Sequence, residues 1–289
     1  MSLISRASSV ARYHGKPVAL LTQHGKERVI APELEPTLGC SIELVTGFDT
    51  DQLGTFTRET SRIGTQIDAA RRKARIGMEL ANTSLGIASE GSFSSDPFIG
   101  ILPWNVEVLV WIDDELGIEI TSFSEGAGNH HHLRSGDWLE VRTFAEKHKF
   151  PEQQLVIRPN NDDDPYIIKG LSDWDALQVS FDECLAQSNN KHVFVETDLR
   201  AFANPSRMQH IKLAAQNMAQ RIQSTCPACH APGFWITKKQ PGLPCAECHA
   251  PTASYRSETW FCLCCDYQST LERSDRLVED PKYCSYCNP

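Results

Sequence analysis

Short apolar runs alternate with amphipathic stretches through the first 225 residues. Residues 18–22 and 41–46 have the length and composition of buried strands. Between them the chain reads as a helical segment up to Leu38, stopped by Gly39, with Pro32 and Pro36 expected to break or kink it. The clearest helix begins after Thr65, an N-cap residue with Asp68 three positions on. Its apolar stripe is Ile67, Ala70, Ala74, Met78 and Ala81, while Arg71, Arg72, Lys73 and Arg75 ring its other sides. Strands are predicted over 85–88, 105–112 and 118–123, the last two joined as a pair by an acidic turn. Further on come a helix over 138–148, short strands over 154–157 and 166–168, a helix capped by Ser172, and a strand over 193–195. A long helix opens at Asn204-Pro205, with proline at its first position. Its face is Met208, Ile211, Ala215, Met218 and Ile222. Strands alternating with helices predict an α/β fold with a mixed sheet and flanking helices.

The last stretch breaks this pattern. Eight of the eleven cysteines form four C-x-x-C pairs: Cys226/Cys229, Cys245/Cys248, Cys262/Cys265 and Cys284/Cys287. One such pair is shared with redox motifs, but four in a row with these spacings imply metal. Two pairs complete a tetrahedral S4 site, so the expectation is two structural zinc ions in a C-terminal tandem zinc-ribbon module. Sequential pairing is the preferred assignment, first pair with second and third with fourth. An interleaved arrangement has the same ligand count. Cys264 is surplus, either a spare thiol or a sign that its knuckle is shifted by one, and Cys40 and Cys184 read as core residues. The organisation is thus a flexible tail over 1–16, an α/β domain over 17–225 and a zinc module over 226–289. The module is too small to cohere without metal, which supplies on the order of 10 kcal/mol per site.

Composition narrows the function. A formal net charge of -9 argues against a generally basic nucleic-acid binder, and the zinc segment carries about as many acids as bases. No apolar run reaches the ~20 residues of a membrane span. The N-terminus lacks the apolar core of a signal peptide, so a cytoplasmic, reducing location is expected, where paired cysteines hold metal rather than form disulfides.

Candidate chemistry lies at strand ends, where α/β folds bind ligands. Gly25 and Lys26 follow the first strand and open a helix whose free N–H groups favour anions. Glu90, among small residues after the strand over 85–88, suits a magnesium ion that a phosphate also touches, with Asp49 and Asp51 as further oxygen ligands. Glu196, Asp198, Arg200 and Arg207 form a third group. Arg207 sits in a helix's first turn, where the dipole disfavours a cation, so it should meet a carboxylate or a bound anion. The competing reading is an ion-pair network tying strand to helix. His130, His131 and His132 are read as a polar loop rather than a metal site.

The segments LLTQHGKE, DTDQLGTF, AARRKARIG, ASEGSF, KGLSDW, ETDLRAFANPSRM, GLPCAEC and CSYCNP together resemble a bacterial family described only as a domain of unknown function, across nearly the whole chain. The first 125 residues also look like the inosine triphosphatase-like pyrophosphatases that remove non-canonical purine nucleoside triphosphates. That likeness implies Lys26 and Lys73 on phosphate and Glu90 on magnesium or water. The chain departs from that group in having Gln23-His24 where an asparagine is usual, and Glu90 alone where paired acids are usual. The resulting expectation is a magnesium-dependent hydrolase of a phosphate-bearing nucleotide. The alternative is a non-catalytic zinc-ribbon protein that binds nucleic acid or a protein partner.

Overall fold

Strand β1 (Pro17–Leu21) runs parallel to both β2 (Ser41–Val45) and β3 (Leu85–Ser95). β3, β4 (Pro103–Asp113) and β5 (Ile118–Ala127) then form an antiparallel meander, so the first sheet is mixed, in the order β2-β1-β3-β4-β5. The computed structural model describes residues 12–53 and 64–289. Alternation along the strands sends Ala19, Leu21, Ala88, Val108 and Val110 to one face, where helix α2 (Gln66–Ala81) covers them with Ala70, Ala74 and Met78. Leu20, Ile87, Leu109 and Trp111 point the other way, against Ile30 and Leu34 of α1 (Glu27–Leu38) and Ile211 and Met218 of α5 (Pro205–Gln223).

Several local expectations change. Pro32 and Pro36 lie inside α1 without ending it; both are exposed on its outward side, where a helix can curve around the core. The α2 capping box of Thr65 and Asp68 is present, but Lys73 lies on the buried face rather than among the outer arginines. Tyr13, assigned to a tail, is fully buried, donating to Asp113 at 2.9 Å and meeting Trp111 edge-on. β3 extends well past residue 88, because β4 supplies a partner from Leu85↔Asp113 to Ser95↔Pro103. Glu90 is therefore within a strand.

A second sheet carries residues 132–197. β6 (His132–Ser135), β7 (Leu155–Pro159), β8 (Ile168–Leu171) and β9 (Val193–Thr197) are antiparallel in the order β6-β9-β7-β8. α3 (Trp138–Lys147) and α4 (Trp174–Gln187) pack on it through Val141, Phe144, Leu177 and Phe181, making a core of their own. The N-cap of α4 is Asp173 rather than Ser172, its carboxylate accepting from the Ala176 amide. A third sheet, β10 (Trp235–Pro241), β11 (Tyr255–Phe261) and β12 (Gln268–Glu272), follows directly after α5.

Gly86 lets α2 lie close on β3: a Cβ there would fall 2.5 Å from Met78 Cγ and 3.1 Å from the Ala74 carbonyl oxygen. Gly86→Ala is expected to cost about 1–3 kcal/mol, read from the urea midpoint at constant m-value. An unchanged midpoint would mean that the helix can shift without penalty.

Candidate functional site

The four cysteine pairs gather into two sets, Cys226/Cys229/Cys262/Cys265 and Cys245/Cys248/Cys284/Cys287. The preferred sequential pairing is thus corrected to the interleaved one. Strand direction is the cause. β10 and β11 are antiparallel with Trp235 opposite Phe261, so the knuckle before β10 and the knuckle after β11 share one end of the hairpin. The second pair lies in the connection at the far end, and the chain after β12 returns there through the Cys245↔Glu279 bridge. Pro244 and Ala246 bond the Glu279 backbone on either side.

Within each set the Sγ atoms lie within 4.8 Å of one another. Contacts such as Cys226–Cys265 at 3.7 Å and Cys248–Cys284 at 3.6 Å match the edge, about 3.8 Å, of a tetrahedron with metal–sulfur bonds of about 2.3 Å. The donor set therefore fits zinc, and four thiolates leave no position open for water or substrate. In the first three knuckles the residue after the second cysteine (His230, His249 and Asp266) takes a positive φ near 58°. The amide of the residue two after the first cysteine points at its sulfur, from Ala228, Glu247 and Cys264 respectively. Cys264 occupies that third position, and it is Cys265 that gathers with the other three thiols, so the knuckle is not shifted. The first knuckle is fastened to the body: Gly233 donates to the Arg221 carbonyl, Ser224 Oγ donates to Phe234 O, and Arg221 reaches Thr121 O at 2.6 Å.

The second candidate site lies where β1 ends. β1 pairs with β3 only at Ala19↔Gly86 and Leu20↔Ile87, so among the described residues the next part of β3 has no strand on that side. Buried Lys26, at the start of α1, reaches across and donates to the Ser89 carbonyl at 2.9 Å. Lys73 meets Glu90 at 2.6 Å, both buried. On the opposite face of the sheet, Arg207 of α5 meets Glu107 of β4 at 2.7 Å and donates to Leu199 O at 2.6 Å. Gly91, opposite Glu107, makes room for this pair: a Cβ there would lie 2.3 Å from Glu107 Oε1. Arg200 pairs with Asp198 at 2.5 Å and stacks on Phe202, whose ring also meets His24.

These groups feel one another. Burial, then the charges of Arg207 and Lys73, lower the Lys26 pKa to about 7. Burial followed by Lys26, Arg207, Lys73 and Arg200 lowers His24 to about 3, so the imidazole is neutral. Burial opposes ionisation of Glu90, but Lys73, Lys26 and Arg207 outweigh it and hold the carboxyl at about 2. Three buried oxygens nearby have no hydrogen-bond partner among the described residues: Ser89 Oγ, Asn105 Oδ1 and Glu107 Oε2, all directed by the strand alternation to the Arg207 side.

Lys26, Lys73, Glu90, Arg200 and Arg207 are thus brought together. The Glu196–Arg207 group is not one network, as Arg207 finds its carboxylate on β4 and Glu196 lies 4.0 Å from Arg158 in the second sheet. Asp49 sits in the turn before a short 3-10 helix, Thr50–Leu53, where Thr50 bonds Gln23 of the Lys26 loop. The Asp51 side chain lies outside the described residues. His131 lies between the rings of His148 and His130 while His132 stacks on Phe194, so the three histidines do not turn to one point. Glu107 was missed by sequence reasoning, though a lone carboxylate in the apolar run 106–112 was a signal of a buried partner.

Two results are expected. The double variant Cys229→Ser/Cys262→Ser should lose one metal equivalent, whereas Cys229→Ser/Cys248→Ser should lose both, as read by elemental analysis; Cys264→Ser should lose none. The second concerns Lys26, whose folded pKa lies below its unfolded value. Its burial cost is complete below pH 7, where both states are protonated. As pH rises from about 7 to about 10.5 the folded state gives up the proton first, so stability should rise. Lys26→Met should remove that part of the slope in denaturation at a series of pH values.

No curated protein matches the chain. A family model described as a domain of unknown function, DUF6671, matches residues 73–289, which takes in Lys73, Glu90, Glu107, Arg207 and all eight paired cysteines, while Lys26 precedes it. With three quarters of its length inside that match, the chain belongs to the DUF6671 family.

Proposed function

We propose that the buried charge cluster binds the phosphates of a nucleotide and that the protein hydrolyses it with magnesium. The observation that carries this reading is an excess of cations among the described residues: Lys26, Lys73, Arg200 and Arg207 lie with three carboxylates, Glu90, Glu107 and Asp198, beside a neutral imidazole. A buried site short of negative charge is stabilised by an incoming anion, and a phosphate beside Lys26 restores the proton that burial drives off. The phosphate would draw Lys73 away from Glu90. Burial then opposes the Glu90 charge with less compensation, its pKa climbs, and it becomes able to take the proton of a water attacking phosphorus. On the Arg207 face, across the sheet from Glu90, Glu107 Oε2 and Asn105 Oδ1 have no partner among the described residues and are oxygens of the kind magnesium takes. When bound, that ion would neutralise charge on the leaving phosphate.

The test is phosphate release from nucleoside triphosphates with magnesium, using the metal-loaded protein. Turnover is expected to fall by about 100-fold in Glu90→Gln and in Lys26→Met. Turnover indifferent to both substitutions, or none with any nucleotide, would refute the reading.

A second reading is favoured by the surface of the metal module, where Leu271, Leu277, Tyr283 and Tyr286 are exposed. Its six basic and seven acidic residues, with two sets of four thiolates, make it unsuited to a polyanion. The module then docks on a protein through apolar contacts. Complex formation insensitive to salt and weakened by Leu277→Asp and Tyr286→Asp would support this; salt-dependent binding to RNA or DNA would oppose it.

A further inference from the structure

A cavity of about 570 Å³ opens between the end of β5, the end of α3 and the start of α5, lined by none of the side chains of the charge cluster. Its size suits a small organic molecule. Ala127, Gly128 and Pro205 supply apolar wall, and the polar groups that reach it are mostly donors.

Three of them stand out. α5 has 19 residues, and its first turn is almost fully capped: Pro205 has no N–H, and the Arg207 amide is taken by Asn204 Oδ1. Ser206 therefore keeps an amide with no partner among the described residues, with its hydroxyl beside it, on the cavity. His148 is nine-tenths buried, held between His131 at 4.2 Å and Phe144 at 4.6 Å. Its ring nitrogens have no partner among the described residues, and the ring lines the cavity. Lys147 and Lys149 flank it, neither with a carboxylate partner among the described residues, and Glu152 is the acid in the cavity lining.

We propose that this cavity binds a small molecule ending in an oxyanion, carboxylate or phosphate, seated on the Ser206 amide and hydroxyl, His148 and the two lysines. The helix N-terminus and the ammonium groups attract the charge, and His148 supplies a hydrogen bond that it lacks within the protein. The site is independent of the proposed nucleotide site, from which it differs in every ligating side chain.

Inorganic phosphate and acetate are the probes, titrated into the metal-loaded protein while the His148 ring nitrogens are followed by NMR. Binding of at least one probe should shift His148 and weaken by about tenfold or more in Lys147→Glu/Lys149→Glu, at two exposed positions, with folding checked by the unchanged amide spectrum of the rest of the chain. His148→Phe, which keeps the stacking, should also weaken it, while Lys26→Met should leave it unchanged. A response to phosphate alone or to acetate alone assigns the terminus. The proposal is overturned if neither probe binds at ~10 mM, or if binding survives charge reversal or is lost with Lys26→Met.

Discussion

Two carboxylates in neighbouring strands, Glu90 and Glu107, leave the first sheet on opposite faces, and each is neutralised by a cation from the helix on its own side. Charges buried this deeply are tolerable only when paired, and losing one partner typically costs about 3–5 kcal/mol. That requirement fixes where α2 and α5 must lie along the sheet, since Lys73 and Arg207 have to reach particular positions on β3 and β4. Lys26 completes the arrangement by taking the Ser89 carbonyl that β1 is too short to engage. Positive charge thereby concentrates at the place where the parallel strands end.

Much of the first sheet was legible because its cues are local. The capping box at Thr65, the Asn204-Pro205 start and the apolar stripes each depend on residues a few positions apart. What escaped depends on distant segments. β3 runs through Ser89 and Gly91 because β4 pairs with it, a contact that overrides the turn-forming tendency of those residues. Arg207 was expected to meet a carboxylate or a bound anion, and the carboxylate it meets, Glu107, is a hundred positions away, where no local cue points to it. The second sheet was read as scattered short strands because no periodicity tells which sheet a strand joins.

The cysteines show the same division. Their identity as ligands followed from spacing, and the structure places all eight in two sets. Their pairing did not, because it is decided by the antiparallel register of β10 and β11 rather than by distance along the chain. Cys264 illustrates the remainder: its exclusion rests on a backbone turn, with Asp266 at positive φ after Cys265, that composition does not announce.

Interleaving couples the two metal centres through the chain's topology. The segment between Cys229 and Cys262 contains the whole second pair, so the first ion, on closing that loop, also sets the hairpin on which the second site is built. Much of the loop-closure entropy of the second centre is then already spent. On that account an ion at the second set should bind more tightly once the first set is filled, so that metal uptake by this segment is expected to be cooperative without any contact between the ions.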